Sequence, residues 1–227
     1  MIQSENFIKK KILFVFDLDG VLIDSKPNMK FAWNMVRKKF NIKAQFDQYF
    51  QHIGIPFSDI LSKLDINQKQ NEIEEYFILN SLLKIDEIQP FPNVVTTLKK
   101  LKKNDKKIGV LTSKDIMRTK KIIKKLNLVI DIVMCPEKNK PGKPNPFQFN
   151  EILEKNSINK KDAVYIGDMY VDYLTAQNAD VEFIFAEYGY GKNVSYKHKI
   201  KDISNILKLW QNLIKNFLIQ IFLENQK

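Results

Sequence analysis

The chain has 227 residues, 44% hydrophobic and 28% charged, the balance of an ordinary globular protein with room for one substantial core and a smaller lobe. Its formal net charge is +11, yet of its 37 basic residues all but Arg37 and Arg118 are Lys. Base-reading surfaces lean on the bidentate Arg fork, so this composition argues against nucleic acid as partner and for lysines on solvated faces, leaving at most a weak field that draws phosphate.

In chain order, Met1 to Lys11 is polar and has no apolar core of a signal peptide. Ile12-Leu13-Phe14-Val15-Phe16 follows as an unbroken apolar run, the mark of a central strand covered on both faces, as in parallel sheets. Where that strand should end stand Asp17 and Asp19, and Gly20 then breaks the pattern. Alternation along an extended chain points both carboxylates the same way. Two like charges so placed need a cation or a shared proton, and the carboxyl end of a central strand is where open α/β sheets bind ligands. A bound Mg²⁺ answers both conditions; the plainer alternative is a solvated Asp-rich turn.

Pro27 after Ser25 signals a helix start, and Met29, Trp33, Val36 and Phe40 give that helix one apolar face. Helical spacing returns at Ile60, Leu61 and Leu64, and again from Ile73 through Tyr76, Phe77 and Leu83. His52-Ile53-Gly54-Ile55-Pro56 is a loop between them. Nothing from Pro27 to Glu87 reads as a buried strand, so residues 25–87 form an all-helical block inserted after the first strand. Residues 1–24 and 88–227 are then one discontinuous core domain, with the boundary marked by Gln89-Pro90-Phe91-Pro92.

Beyond that boundary the chain alternates. A helix with Val94, Val95, Leu98 and Leu101 precedes a strand at Ile108–Leu111, and a helix with Ile116, Ile122, Ile123 and Leu126 precedes a strand at Ile132–Cys135. Cys135, the only cysteine, excludes an internal disulfide and any cysteine-spaced zinc site, and reads as a buried thiol. A loop rich in Pro, Lys and Gly leads to a helix around Phe147–Leu153, then a strand at Ala163–Ile166, a helix through Leu174 and Ala176, and a strand at Phe183–Phe185. This alternation predicts an α/β fold: a Rossmann-like parallel sheet with helices on both faces, the helical insertion lying over its carboxyl edge like a lid. At the tail, Ile203, Leu207, Trp210, Ile214, Phe217 and Ile221 form an apolar stripe, widened by Leu213, Leu218, Ile219 and Phe222. Its first half is expected to cover the sheet, and its second half to offer a face to another subunit in a homo-oligomer. No apolar stretch reaches about 18 residues, so no membrane span is predicted, and a cytoplasmic location is expected.

Each main strand ends in a different polar tool on the same edge. Thr112-Ser113 follow one strand; a helix starting near Ser113 would aim amides at an anion, although a helix cap is the better reading of the pair taken alone. Lys143, between Gly142 and Pro144, would ordinarily be one more solvated Lys. Asp168 and Asp172, at i and i+4, share a helix face either as capping charges or as metal ligands. Each plain reading stands alone; their coincidence in this order is far less probable.

The order Asp17-x-Asp19-Gly20-Val21, Thr112, Lys143-Pro144-x-Pro146 and Gly167-Asp168-x3-Asp172 resembles the haloacid dehalogenase superfamily, most of all its phosphoglycolate-phosphatase-like branch with a helical cap. Asp24-Ser25, Gly54-Ile55-Pro56 and Tyr188-Gly189-Tyr190-Gly191 resemble that branch as well. The resemblance implies that Asp17 is the nucleophile taking the phosphoryl group and Asp19 the acid and then the base. It implies Mg²⁺ held by Asp17, the backbone carbonyl of Asp19 and Asp168, with Asp172 holding a metal-bound water or orienting Lys143. Thr112, the Ser113 amide and Lys143 would clamp the phosphoryl oxygens. The implied activity is a Mg²⁺-dependent phosphatase for a small phosphorylated metabolite. A phosphosugar mutase of the same superfamily and a non-catalytic phosphate-binding protein are the alternatives. No Arg follows Gly54-Ile55-Pro56-Phe57 to mark a mutase cap, and His52 reads as a partly exposed polar side chain rather than an acid–base group.

Overall fold

A computed structural model describes residues 10–191 and 196–207. The apolar runs become strands β1 (Leu13–Phe16), β4 (Lys107–Leu111), β5 (Ile132–Met134), β6 (Ala163–Gly167) and β7 (Glu182–Ala186). They lie parallel in the order β5-β4-β1-β6-β7, and β8 (Lys199–Ile200) adds a sixth strand beside β7. β1 is thus central, and all four of its residues are buried.

Alternation divides its side chains between two layers. Phe14 and Phe16 pack with Val94, Leu98 and Leu101 of α5 (Val94–Lys103) and Ile122 of α6 (Ile116–Lys125). Leu13 and Val15 face the other way, toward Phe149 and Ile152 of α7 (Phe147–Lys155) and Ala176 of α8 (Tyr170–Asn178). The doubly covered parallel sheet expected from the sequence is therefore present. Ile203 and Leu207 are buried in the first of these layers, as expected for the start of the tail stripe. The remaining stripe, from Trp210 onward, lies outside the described residues.

Between β1 and α5 come four α-helices: α1 (Lys26–Phe40), α2 (Phe46–Phe50), α3 (Phe57–Lys63) and α4 (Gln70–Leu83). They bury an apolar cluster of their own around Trp33, Tyr49, Leu61 and Phe77. Trp33 stacks on Tyr49 with ring centroids 4.5 Å apart, and its Nε1 donates to the Ala44 carbonyl at 3.0 Å. Asn28 and Ser81 exchange two hydrogen bonds, of 2.8 and 2.6 Å, and tie α1 to α4. The two connections of this block to the sheet are not loops. β2 (Ile23–Asp24) and β3 (Gln89–Pro90) pair antiparallel across them, a two-residue ribbon too short to leave an alternating pattern in the sequence. No helix among the described residues is long and apolar enough to cross a membrane.

Candidate active site

The carboxyl edge of the sheet gathers the polar residues that terminate the strands. Asp17 follows β1, and its amide donates to the Ile166 carbonyl at 2.9 Å, so the sheet register fixes where its side chain begins. Lys143 reaches the same point from the loop before α7. Its Nζ donates to Asp17 Oδ1 at 2.7 Å and to Asp172 Oδ1 at 2.8 Å, with only 1% of its side chain exposed. Burial by itself would lower the Lys143 ammonium, but Asp17 and Asp172 together hold it above the ordinary lysine range. Burial pushes the Asp17 carboxyl up to about 7; Lys143 pulls it down, and Asp172 and Asp19 push it further up.

Asp172 is also held by the Tyr165 hydroxyl, which donates to Oδ1 at 2.8 Å, and by the Met169 amide, which donates to Oδ2 at 3.0 Å. The helix starts one step later than the sequence implied. Met169 is extended and caps α8, so Asp168 precedes the helix instead of sharing a face with Asp172. The two carboxylates still converge: Asp17, Asp168 and Asp172 each offer an oxygen within 4.8 Å of the others, and all three are buried. Asp168 Oδ2 accepts from the Tyr190 amide at 2.6 Å, while Oδ1 is buried without a hydrogen-bond partner. Burial, followed by Asp172 and Asp17, raises the Asp168 carboxyl well above the ordinary range.

Three buried carboxylates, one ammonium and an orphaned oxygen leave an excess of negative charge in a dry place. That donor set fits a hard divalent cation with oxygen ligands. The backbone packs tightly around it. Gly20 sits at φ +89°, and a Cβ there would overlap Asp168 Oδ2 and the Tyr190 ring. Gly20→Ala is therefore expected to cost roughly 1–3 kcal/mol and to displace Asp168; a denaturant titration that finds no loss would contradict this packing.

Asp19 lies beside the carboxylate cluster rather than in it. Its Oδ1 accepts from the Ser25 hydroxyl and lies 3.2 Å from Lys114 Nζ. Its carboxylate is not among the three converging groups. Thr112 and Ser113 follow β4, but α6 begins at Ile116 with Asp115 as its cap, Asp115 accepting from the Arg118 amide at 2.9 Å. The expected helix start near Ser113 is thus three residues early. An Asp with its carboxylate free to cap outcompetes the preceding serine, whose hydroxyl is used elsewhere. That hydroxyl donates to the Gly54 carbonyl of the helical block at 2.6 Å. The Thr112 hydroxyl accepts from the Lys114 amide at 3.2 Å, a local turn contact and not the helix cap weighed for it above.

Between the helical block and the sheet edge lies a cleft of about 620 Å³, its solvent mouth included, reached by Asp17, Asp19, Thr112 and Ser113. His52 is not among its lining residues. The sequence assigns no site role to several groups at this edge: Ser25 and Tyr190, met only within motifs, on Asp19 and Asp168, and Lys114 on Asp19, Tyr165 on Asp172, and Glu74 and Arg118 in the cleft wall. One signal was available, since Arg118 is one of only two arginines in a chain that otherwise uses Lys.

The fold and this edge define a parallel α/β protein with an aspartate-built site at the carboxyl ends of its strands. The profile of the family described as haloacid dehalogenase-like hydrolase matches residues 14–186, and the chain belongs to that family. It is 27% identical over 214 residues to the phosphoglycolate phosphatase of Aquifex aeolicus, covering 90% of this chain and 99% of that protein. It is 21% identical over 202 residues to the pyrophosphatase PpaX of Oceanobacillus iheyensis, covering 86% of this chain and 94% of that protein. A solved hydrolase from Pseudomonas syringae shares the fold, with a TM-score of 0.78 at 23% identity over 87% of this chain and 96% of that one. Within that family it is similar to phosphatases of the phosphoglycolate-phosphatase-like branch.

Proposed function

We propose that the protein is a Mg²⁺-dependent phosphatase that hydrolyses a small phosphorylated metabolite through an aspartyl phosphate on Asp17. The observation that carries this reading is the Asp17 carboxylate, buried at the floor of the cleft and held by Lys143 beside Asp168 and Asp172. Asp17, Asp168 and the Asp19 carbonyl would hold the cation, with Asp172 behind them. When bound, Mg²⁺ supplies charge neutralisation for the phosphoryl oxygens and for the converging carboxylates.

The chain's own groups do the rest. An Asp17 oxygen attacks phosphorus, and the P–O bond to the leaving group breaks. Asp19 gives its proton to the departing oxygen. In the second half, Asp19 takes a proton from water as the water oxygen attacks phosphorus, releasing inorganic phosphate and restoring Asp17. Lys143 keeps Asp17 oriented and faces the phosphoryl group with a charge it cannot readily lose. Thr112 and the Ser113 amide supply donors at the same edge. The helical block of residues 25–87 serves as the cap that excludes water and receives the leaving group, and its Gly54 carbonyl is already tied to Ser113.

The test is turnover of a chromogenic aryl phosphate with Mg²⁺ and after chelation; equal rates in both would overturn the metal dependence. Chelation should also act on stability. With its pKa raised to about 7, Asp17 binds a proton in the metal-free folded state that the unfolded chain would release. Stability from this group is therefore complete below the ordinary carboxylate range and is lost as pH rises through about 7. A cation on the three carboxylates removes that loss. The drop in Tm caused by chelation is expected to be larger at high pH than at low pH. A drop that is the same across the series would contradict it.

A further inference from the structure

Away from the phosphoryl end, the cleft is unevenly charged. Its lining carries Asp17, Asp19, Glu74 and Asp115 against Lys114 and Arg118. Both cations are already matched: Lys114 Nζ lies 3.2 Å from Asp19, and Arg118 Nε donates to Asp115. Glu74, from α4, is left over. Burial raises its carboxyl above the ordinary range, with Arg118 pulling it back and Asp115 pushing the same way as burial.

One donor is also left over. Arg118 is a buried side chain, 8% exposed, and its Nη1 has no hydrogen-bond partner. A buried guanidinium N–H calls for an acceptor oxygen. A second anion on the substrate would supply one, but it would face Glu74 and Asp115 with no unmatched cation to balance it. A hydroxyl meets both demands at once, accepting from Nη1 and donating to the Glu74 carboxylate. The rest of the wall suits a carbon skeleton. Phe77 lies with its ring 5.3 Å from the Arg118 guanidinium, and Tyr49 and Phe57 continue the apolar surface.

We propose that the substrate is a phosphomonoester of a neutral polyol, of the sugar or sugar-alcohol class, with a leaving-group hydroxyl bridged between Arg118 and Glu74. This deepens the phosphatase reading and rests on it. It sets this chain apart from enzymes whose substrates carry a carboxylate or a second phosphate beside the scissile one.

Recognition can be read apart from turnover. The full-length Asp17→Asn protein with Mg²⁺ is titrated calorimetrically with ribose 5-phosphate, glucose 6-phosphate, glycerol 3-phosphate, phosphoglycolate and pyrophosphate. At least one polyol phosphate is expected to bind about tenfold or more tightly than either competitor that carries a second anionic group, the scale of one well-placed hydrogen bond to a charged group. Glu74→Gln and Arg118→Lys, added singly, should each erode that preference about tenfold. Glu74 is only half-buried, so its variant keeps the test open should Arg118→Lys fold poorly. Tightest binding by phosphoglycolate or pyrophosphate, binding by none of the polyol phosphates, or a preference unchanged in Glu74→Gln overturns the proposal. A wild-type protein that turns over no phosphate while the binding preference persists would sink the phosphatase reading and leave polyol recognition standing.

Discussion

Asp17→Asn is expected to fold, to bind phosphate esters and to turn none of them over. The amide keeps the shape of the carboxylate but offers phosphorus no anionic oxygen. Loss of a nucleophile that works as a unit with its neighbours costs on the order of 10⁴-fold or more in kcat, and no other group at this edge can replace it. Asp168 and Asp172 converge on the same point, but the Tyr190 amide, the Tyr165 hydroxyl, Lys143 and the Met169 amide already hold them. Stability should change little or rise, because a neutral amide removes one of three buried carboxylates that repel one another. Single-turnover assays with an aryl phosphate, together with a melting curve, decide the matter. Near wild-type turnover by a folded Asp17→Asn protein would refute the aspartyl-phosphate route.

Much of this was legible before any coordinates. Runs such as Leu13–Phe16 and Ala163–Ile166 are apolar on both faces because both faces are covered, and such runs name the sheet without ambiguity. Asp17, Asp168 and Lys143 could be singled out because strand ends in a parallel sheet share one edge, so residues distant in sequence become neighbours by topology. What escaped was of two kinds. β2, β3 and β8 are two residues each, below the length at which alternation carries information. The other kind depends on side-chain competition. Ser25 looked like a helix cap, yet its hydroxyl donates to Asp19 and the α1 cap carries no side-chain bond. Ser113 likewise yields the cap of α6 to Asp115 and holds the Gly54 carbonyl. The meeting of Glu74 with Arg118 joins the helical block to the sheet layer, and no spacing rule links residues in separate layers.

Tyr190 shows how those layers are joined at the carboxyl edge of the sheet. Its amide donates to Asp168, while its hydroxyl lies 2.7 Å from the Ser25 amide and 2.8 Å from Asp24 Oδ1. Its ring meets Phe50 of α2 at 5.2 Å. One residue thus touches a candidate cation ligand, the start of the helical block and that block's interior. A shift of the helical block at this connection is felt at Asp168 through covalent and hydrogen-bonded neighbours.

Lys143→Met tests the charge balance on which the whole edge depends. The substitution keeps the length and apolar stem of the side chain and removes the ammonium that bonds both Asp17 and Asp172. Breaking a buried pair by removing one partner leaves uncompensated charge and costs about 3–5 kcal/mol. Lys143 is one of the groups that pull the Asp17 carboxyl down toward its ordinary value, so without it the carboxyl rises beyond the present value of about 7. The sign follows from that rise. A folded-state pKa above the unfolded one contributes stability at low pH and forfeits it as pH climbs through the folded value. The variant should therefore melt closest to the wild type below pH about 4, where Asp17 is protonated in the folded state and largely protonated in the unfolded one. It should fall progressively behind as pH rises past about 7. Mg²⁺ should restore part of the deficit at the higher pH, by supplying positive charge to the same carboxylates. Activity should not return with it, because the cation cannot stand where Lys143 orients Asp17. A deficit of equal size at every pH would mean that the lysine contributes packing alone, and the account of this edge as a set of mutually compensating charges would fail.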